Sequence, residues 1–123
     1  MRQRETQLQT IYFSSEQEFR QWLEANHTTE SGLLVGFYKK ASGKQSMTYK
    51  QAVDQALCFG WIDGVSGGID NERYTIRFTH RKPRSTWSQV NIRRVAELTE
   101  AGLMYPYGLE IFNSRDLTKQ NLY

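Results

Sequence analysis

Asp63, Arg77, Arg81, Arg84 and Asn91 are the side chains best placed to do chemistry, and Trp61 and Trp87 stand among them. They fall in two segments, "ALCFGWIDG" at residues 56–64 and "RFTHRKPRSTWSQVN" at residues 77–91. The second segment carries Arg77, His80, Arg81, Lys82 and Arg84 and contains no acid. A guanidinium presents a planar fork that matches phosphate and carboxylate oxygens, and an indole face accepts a ring or another guanidinium. These residue types point to a basic, aromatic-walled pocket for a small anion. In that expected pocket Asp63 holds Arg77, Arg81 and Arg84 sit at the mouth, and Trp61 and Trp87 form walls. Asn91, at the start of a helix, reaches the loop or the ligand.

The charge distribution supports a localised site. The stretch from Arg73 to Arg94 holds seven basic residues and no Asp or Glu, leaving nine basic against 13 acidic residues elsewhere. Positive charge confined to one stretch suits a bound anion better than a generally basic coat does. Two other readings stay open. Basic residues interleaved with aromatics can track a single-stranded nucleic acid, and an extension of the stripe onto Lys39, Lys40 and Lys44 would favour that partner. A protein-interaction module without a small ligand is the third.

Other chemistries find little support. His27, His80 and Cys58 lack metal-ligand spacing, so neither a metal nor a cofactor is implied. "GVSGG" has no P-loop lysine and reads as a hairpin turn. Ser85 and Ser88 lack a supporting His–Asp pair, and Asp63 with Glu72 is too generic for an acid–base pair, so no catalytic residue is assigned. The single Cys58 falls on the apolar face of a helical pattern and reads as a buried, inert thiol. No apolar run reaches the roughly 20 residues of a membrane helix, and no signal segment is visible, which implies a cytoplasmic protein without a membrane partner. The oligomeric state is not legible.

The elements that must position these residues follow from periodicity and capping signals. The chain reads as one α+β domain over residues 10–116, with polar tails at 1–9 and 117–123. Ser15 and Glu18 signal a helix start, continuing to about Ala25 with Phe19, Trp22 and Leu23 on one face. "GLLVGFYKK" reads as a strand buried on both faces. Thr48 and Gln51 open a second helix, with Tyr49, Ala52, Val53, Ala56 and Leu57 at amphipathic spacing and Gly60 closing it in the left-handed conformation. "WIDGVS" and "RYTIRFTH" read as strands joined around Gly67 and Gly68. Ser88 caps a helix that ends near Ala101 before Gly102, and Pro106 opens a short last helix. The order is αβαββαα, with a short, mostly antiparallel sheet packed by helices.

The segments "ALCFGWIDG", "RYTIRFTHRKPRSTWSQVN" and "AELTEAGLMYPYGLE" resemble the YdeI/OmpD-associated family, also called the bacteriocin-protection family. The resemblance takes in "FRQWLEANH", "GLLVGFYKK", Tyr49 and Ala52, and spans residues 12 to 112. It implies a role in stress or antimicrobial-peptide tolerance and a link to an outer-membrane porin, but no defined reaction. Where the family usually has proline after "RFT", this chain has His80, so the resemblance assigns His80 no essential role.

Overall fold

A computed structural model describes residues 9–118. Among these the chain forms four α-helices and one four-stranded sheet, an α+β domain. The elements are β1 (Thr10–Tyr12), α1 (Glu16–Asn26), β2 (Gly32–Tyr38), α2 (Tyr49–Cys58), β3 (Trp61–Gly68), β4 (Arg73–His80), α3 (Gln89–Glu100) and α4 (Pro106–Asn113). The strand order is β1-β2-β4-β3; β1 pairs parallel with β2, and the other pairs are antiparallel. The tails expected at 1–9 and 117–123 lie largely outside the described residues.

Local signals account for the helix boundaries. The Ser15 and Ser88 hydroxyls accept from the N–H of Glu18 and Asn91, and Thr48 and Gln51 form a reciprocal capping box. Gly60 and Gly102 follow α2 and α3 at φ of 74°, in the left-handed region that side chains resist. Gly108 is required for a different reason. A β-carbon there would collide with the Cys58 carbonyl, so its absence lets α4 sit directly on the end of α2.

One core holds the layers together. Phe19, Val35, Phe37, Leu57, Ile76, Phe78 and Val95 are buried in it, and Trp22, Val53 and Ile92 pack against it. The inner face of the sheet presents Leu33, Val35 and Phe37 opposite Phe78, Ile76 and Tyr74. Helix α1 reaches this face through Phe19 on Phe78 and Trp22 on Trp61, and α3 and α4 pack on α2.

Three expectations need correction. The first is burial of β2 on both faces: Leu34 and Tyr38, on the outer face, are only half-buried. Gly36 is buried there because the Tyr12 ring lies on it, where a β-carbon would collide. The second is the hairpin turn at Gly67 and Gly68. Both glycines stay in β3, and the turn falls at Ile69–Glu72, where the Asp70 carboxylate accepts from the N–H groups of Glu72 and Arg73. The third is Tyr49, which is 45% exposed rather than packed on the inner side of α2.

Candidate functional site

The two segments singled out in the sequence do meet, as the β3–β4 hairpin, but their side chains divide between its faces. Asp63 stands opposite Phe78, so it shares the inner face with that core residue. Arg77 precedes Phe78 in the strand and therefore projects outward. The expected Asp63–Arg77 bond is excluded by this alternation. Asp63 instead accepts a 2.5 Å hydrogen bond from the Tyr49 hydroxyl, which raises the Tyr49 pKa to about 12.

Asp63 and Asn91 line a cleft of about 560 Å³ between the starts of α2 and α3. Its charged lining balances: Lys50, Arg93 and Arg94 face Asp54, Asp63 and Glu97. Arg94 grips Asp54 with two bonds of 2.8 and 2.7 Å and Glu97 with one of 2.8 Å. These carboxylates push the Arg94 pKa up. The three carboxylates are thus engaged within the protein.

The outer face carries a different hollow, of about 630 Å³. Its lining includes Arg77, Arg81 and Lys82 together with Ser31, Thr79 and His80, and no carboxylate. A β-bulge shapes one wall. The β3–β4 register shifts between Asp63 and Ser66, so Gly64 and Val65 together oppose Arg77. Bulging there takes this end of β3 off the regular ladder and leaves Val65 75% exposed beside the groove.

Arg81 is the unusual group here: it lines this groove and also a neighbouring hollow of about 370 Å³ that holds Trp87, Tyr107 and Glu110. Only 5% of it is exposed, and among the described residues it forms no ion pair with a carboxylate. Its guanidinium lies over the Trp87 ring at 3.8 Å, and Nη1 donates to the Ser85 hydroxyl and the Thr86 carbonyl at 3.2 and 3.3 Å. Its Nε, also buried, has no partner. Burial lowers the Arg81 pKa to about 10, and the field of Asp63 opposes that shift. A desolvated cation stacked on an indole retains about 2 kcal/mol of attraction, whereas desolvating a charge without an ion partner costs several kcal/mol.

The remaining predicted residues have separate fates. Arg84 lines a smaller adjoining hollow, of about 330 Å³, with Lys82, Thr79 and His80. Trp87 is a wall, but its ring is already covered by Arg81 and packed edge-on against Phe112. Trp61 is fully buried between Trp22 and His80, with its indole N–H unpartnered, and belongs to the core rather than to a pocket wall. Cys58 is also fully buried, and burial raises its pKa.

Sequence reasoning missed the bulge, the Ser31 and Thr79 hydroxyls in the groove, and the role of Tyr49. Gly64 inside a strand pattern was the available signal for the bulge. For Tyr49 the signal was its place immediately after the Thr48 cap, at the helix end rather than along its apolar stripe.

Fold and site define a small α+β domain that carries an acid-free basic groove on the outer face of its sheet. The family described as domain of unknown function DUF8412 matches residues 11–111, and the chain belongs to that family. No curated protein and no solved structure matches it. Among the described residues, no helix is long and apolar enough to cross a membrane.

Proposed function

We propose that this protein binds a ligand through a phosphate or carboxylate group held in the groove of Arg77, Arg81 and Lys82. The observation that carries this reading is Arg81, a guanidinium 5% exposed, without a carboxylate partner and with an unpartnered Nε. Arg77 and Lys82 add exposed charge at the same groove, and Thr79 and Ser31 add hydroxyl donors. Of the seven residues expected to bind, the reading keeps Arg77 and Arg81 in the groove, Arg84 beside it and Trp87 beneath Arg81. It assigns Asp63 and Asn91 to the separate inner cleft and Trp61 to the core.

The resemblance of "CFGWIDG" and "RFTHRKPRSTWSQVN" to the YdeI/OmpD-associated family supports a proposed kinship and a role in stress or antimicrobial-peptide tolerance. A cytoplasmic setting is part of the same proposal, since an unpaired buried thiol suits a reducing compartment. Calorimetric titration with inorganic phosphate and pyrophosphate tests the binding reading. The wild type should bind at least one of them, and Arg77→Ala with Lys82→Ala should weaken that binding at least tenfold with an unchanged melt. Equal affinity in wild type and double variant would remove the reading.

A further inference from the structure

We propose that the anion is the backbone of a single-stranded nucleic acid that lies along the outer face of the sheet. This rests on the anion reading of the groove and names the molecule that brings the phosphate. The groove occupies one end of that face, and the other end is aromatic. Tyr12 and Tyr38 place their ring centroids 5.3 Å apart with planes inclined by 31°. The Tyr12 ring lies on Gly36, whose missing side chain admits it, so an aromatic surface is laid on the strands. Both tyrosines are half-buried and therefore retain area open to a ligand.

Register fixes the spacing between the two ends. Arg77 faces Leu34 and Arg73 faces Tyr38, so four residues of β4 separate the groove from the tyrosines. That is about 13 Å at the rise of an extended strand. A flexible chain of a few nucleotides spans this distance with phosphates at one end and bases stacked at the other. Stacking on aromatics combined with cations along a groove is how single strands are held without base-specific contacts. The basic character also extends beyond the groove. The Lys44 ammonium stands 5.4 Å from the Tyr38 ring centre, and Arg73 lies beside Tyr12.

Acids restrain this second group of cations without occupying the groove. Asp70 binds Arg73 at 2.7 Å, and Glu72 lies 3.8 Å from Lys44. These pairs are solvent-exposed, where such contacts contribute little and exchange readily. A protein partner fits the face less well, because β4 presents Thr75, Arg77 and Thr79 there and only Leu34 of β2 adds an aliphatic side chain opposite them, rather than a broad apolar patch. A small phosphate ligand would account for the groove but would leave the tyrosines unused.

Fluorescence anisotropy with a short labelled oligothymidylate, set beside calorimetry with inorganic phosphate, tests the inference. The oligonucleotide should bind more tightly than phosphate, and a duplex of equal length should compete poorly. Tyr12→Leu with Tyr38→Leu should weaken oligonucleotide binding at least tenfold and leave phosphate binding unchanged, while Tyr12→Phe with Tyr38→Phe should keep both. Should the leucine variant fail to fold, Thr75→Glu places a negative charge on the same face and should weaken the oligonucleotide alone. With about three phosphates engaged, log K should fall against log salt with a slope of about −2.

An oligonucleotide that binds no more tightly than phosphate would overturn the inference and leave the anion reading intact. So would a folded tyrosine or Thr75 variant with wild-type oligonucleotide affinity, or a duplex that competes equally well. Self-association through this face, seen as concentration-dependent mass lost in the variants without any oligonucleotide binding, would also overturn it. Failure of phosphate and oligonucleotide alike would remove both readings.

Discussion

The two sides of the β3–β4 hairpin use the same residue types for opposite ends. On the inner side, the cleft sets three cations against three carboxylates, and Arg94 is bonded to two of those acids. On the outer side, the groove gathers three cations and no acid, and the most buried of them forms no ion pair among the described residues, with Asp63 acting on it only through its field and Glu110 lining a neighbouring hollow. Arg94 therefore stitches α3 to α2, whereas Arg81 is held by the Trp87 ring, Ser85 and Thr86 without an ion pair. A charge whose partners are all internal is part of the scaffold. A desolvated charge without an ion pair is a candidate for a binding role, which is the basis of the proposed function.

Removing one member from each side should separate these roles. The largest effect belongs to Asp54→Ala. It deletes a bidentate partner whose side chain is 13% exposed, and hydrogen bonds to charged groups are worth about 1.5–3 kcal/mol each way. Since Arg94 is 36% exposed and keeps Glu97, the expected loss is near the lower end, about 2 kcal/mol, read from a urea melt. Phosphate binding should survive in conditions where the protein stays folded. A loss below about 0.5 kcal/mol would show that the inner network is not structural.

Arg81→Met is the counterpart. Methionine retains apolar contact with Trp87 while removing the buried charge and its two long Nη1 bonds. Relief of desolvation offsets the lost stacking and hydrogen bonds, so stability should change by less than about 1 kcal/mol. Phosphate binding, however, should disappear. A substitution that is tolerated by the fold and fatal to binding is the signature of a site residue. If Arg81→Met instead unfolds the protein while Arg77→Ala with Lys82→Ala binds normally, the contrast between the two sides collapses.

Much of the scaffold was legible in the sequence because its determinants are local. Ser15, Thr48 and Ser88 act on N–H groups three residues away, and Gly60 and Gly102 act at single backbone positions. The alternation of Tyr74, Ile76 and Phe78 likewise placed Arg77 on the outer face. The site was legible only in part, because its grouping depends on register. Strand period alone says that Arg77 opposes the core face; only the pairing of Asp63 with Phe78 shows that Asp63 is on the other side from Arg77. Burial of Arg81 depends on the fold of the loop around it. In sequence it stands beside Lys82 and Arg84, which are exposed, and nothing local distinguishes the three. "TIYFSS" reads as extended, but the tyrosine surface required that segment, as β1, to be laid alongside β2 so that Tyr12 meets Gly36, a non-local pairing the sequence does not signal.

The smallest effect concerns the Tyr49–Asp63 bond, and pH resolves it better than stability does. The Asp63 carboxylate accepts a hydrogen bond from the Tyr49 phenol and disfavours the charged phenolate beside it, which holds the Tyr49 pKa at about 12. The folded value lies above the ordinary tyrosine value of about 10, so the folded state binds the proton more tightly. The stabilisation from this pair is therefore fully present below pH 10 and is lost as pH rises through 12. Tyr49 is 45% exposed, so solvent screening limits the pair to a few tenths of a kcal/mol. In a spectrophotometric titration of phenolate, Asp63→Asn should remove the highest-pKa tyrosine and return it towards about 10, and Tyr49→Phe should delete that step altogether. Neither change should alter phosphate affinity, because Asp63 faces the inner cleft and the proposed anion groove lies on the outer side. A loss of phosphate binding in Asp63→Asn, in a protein that melts like the wild type, would mean that the two faces are coupled through the Asp63 field at Arg81 and do not act separately.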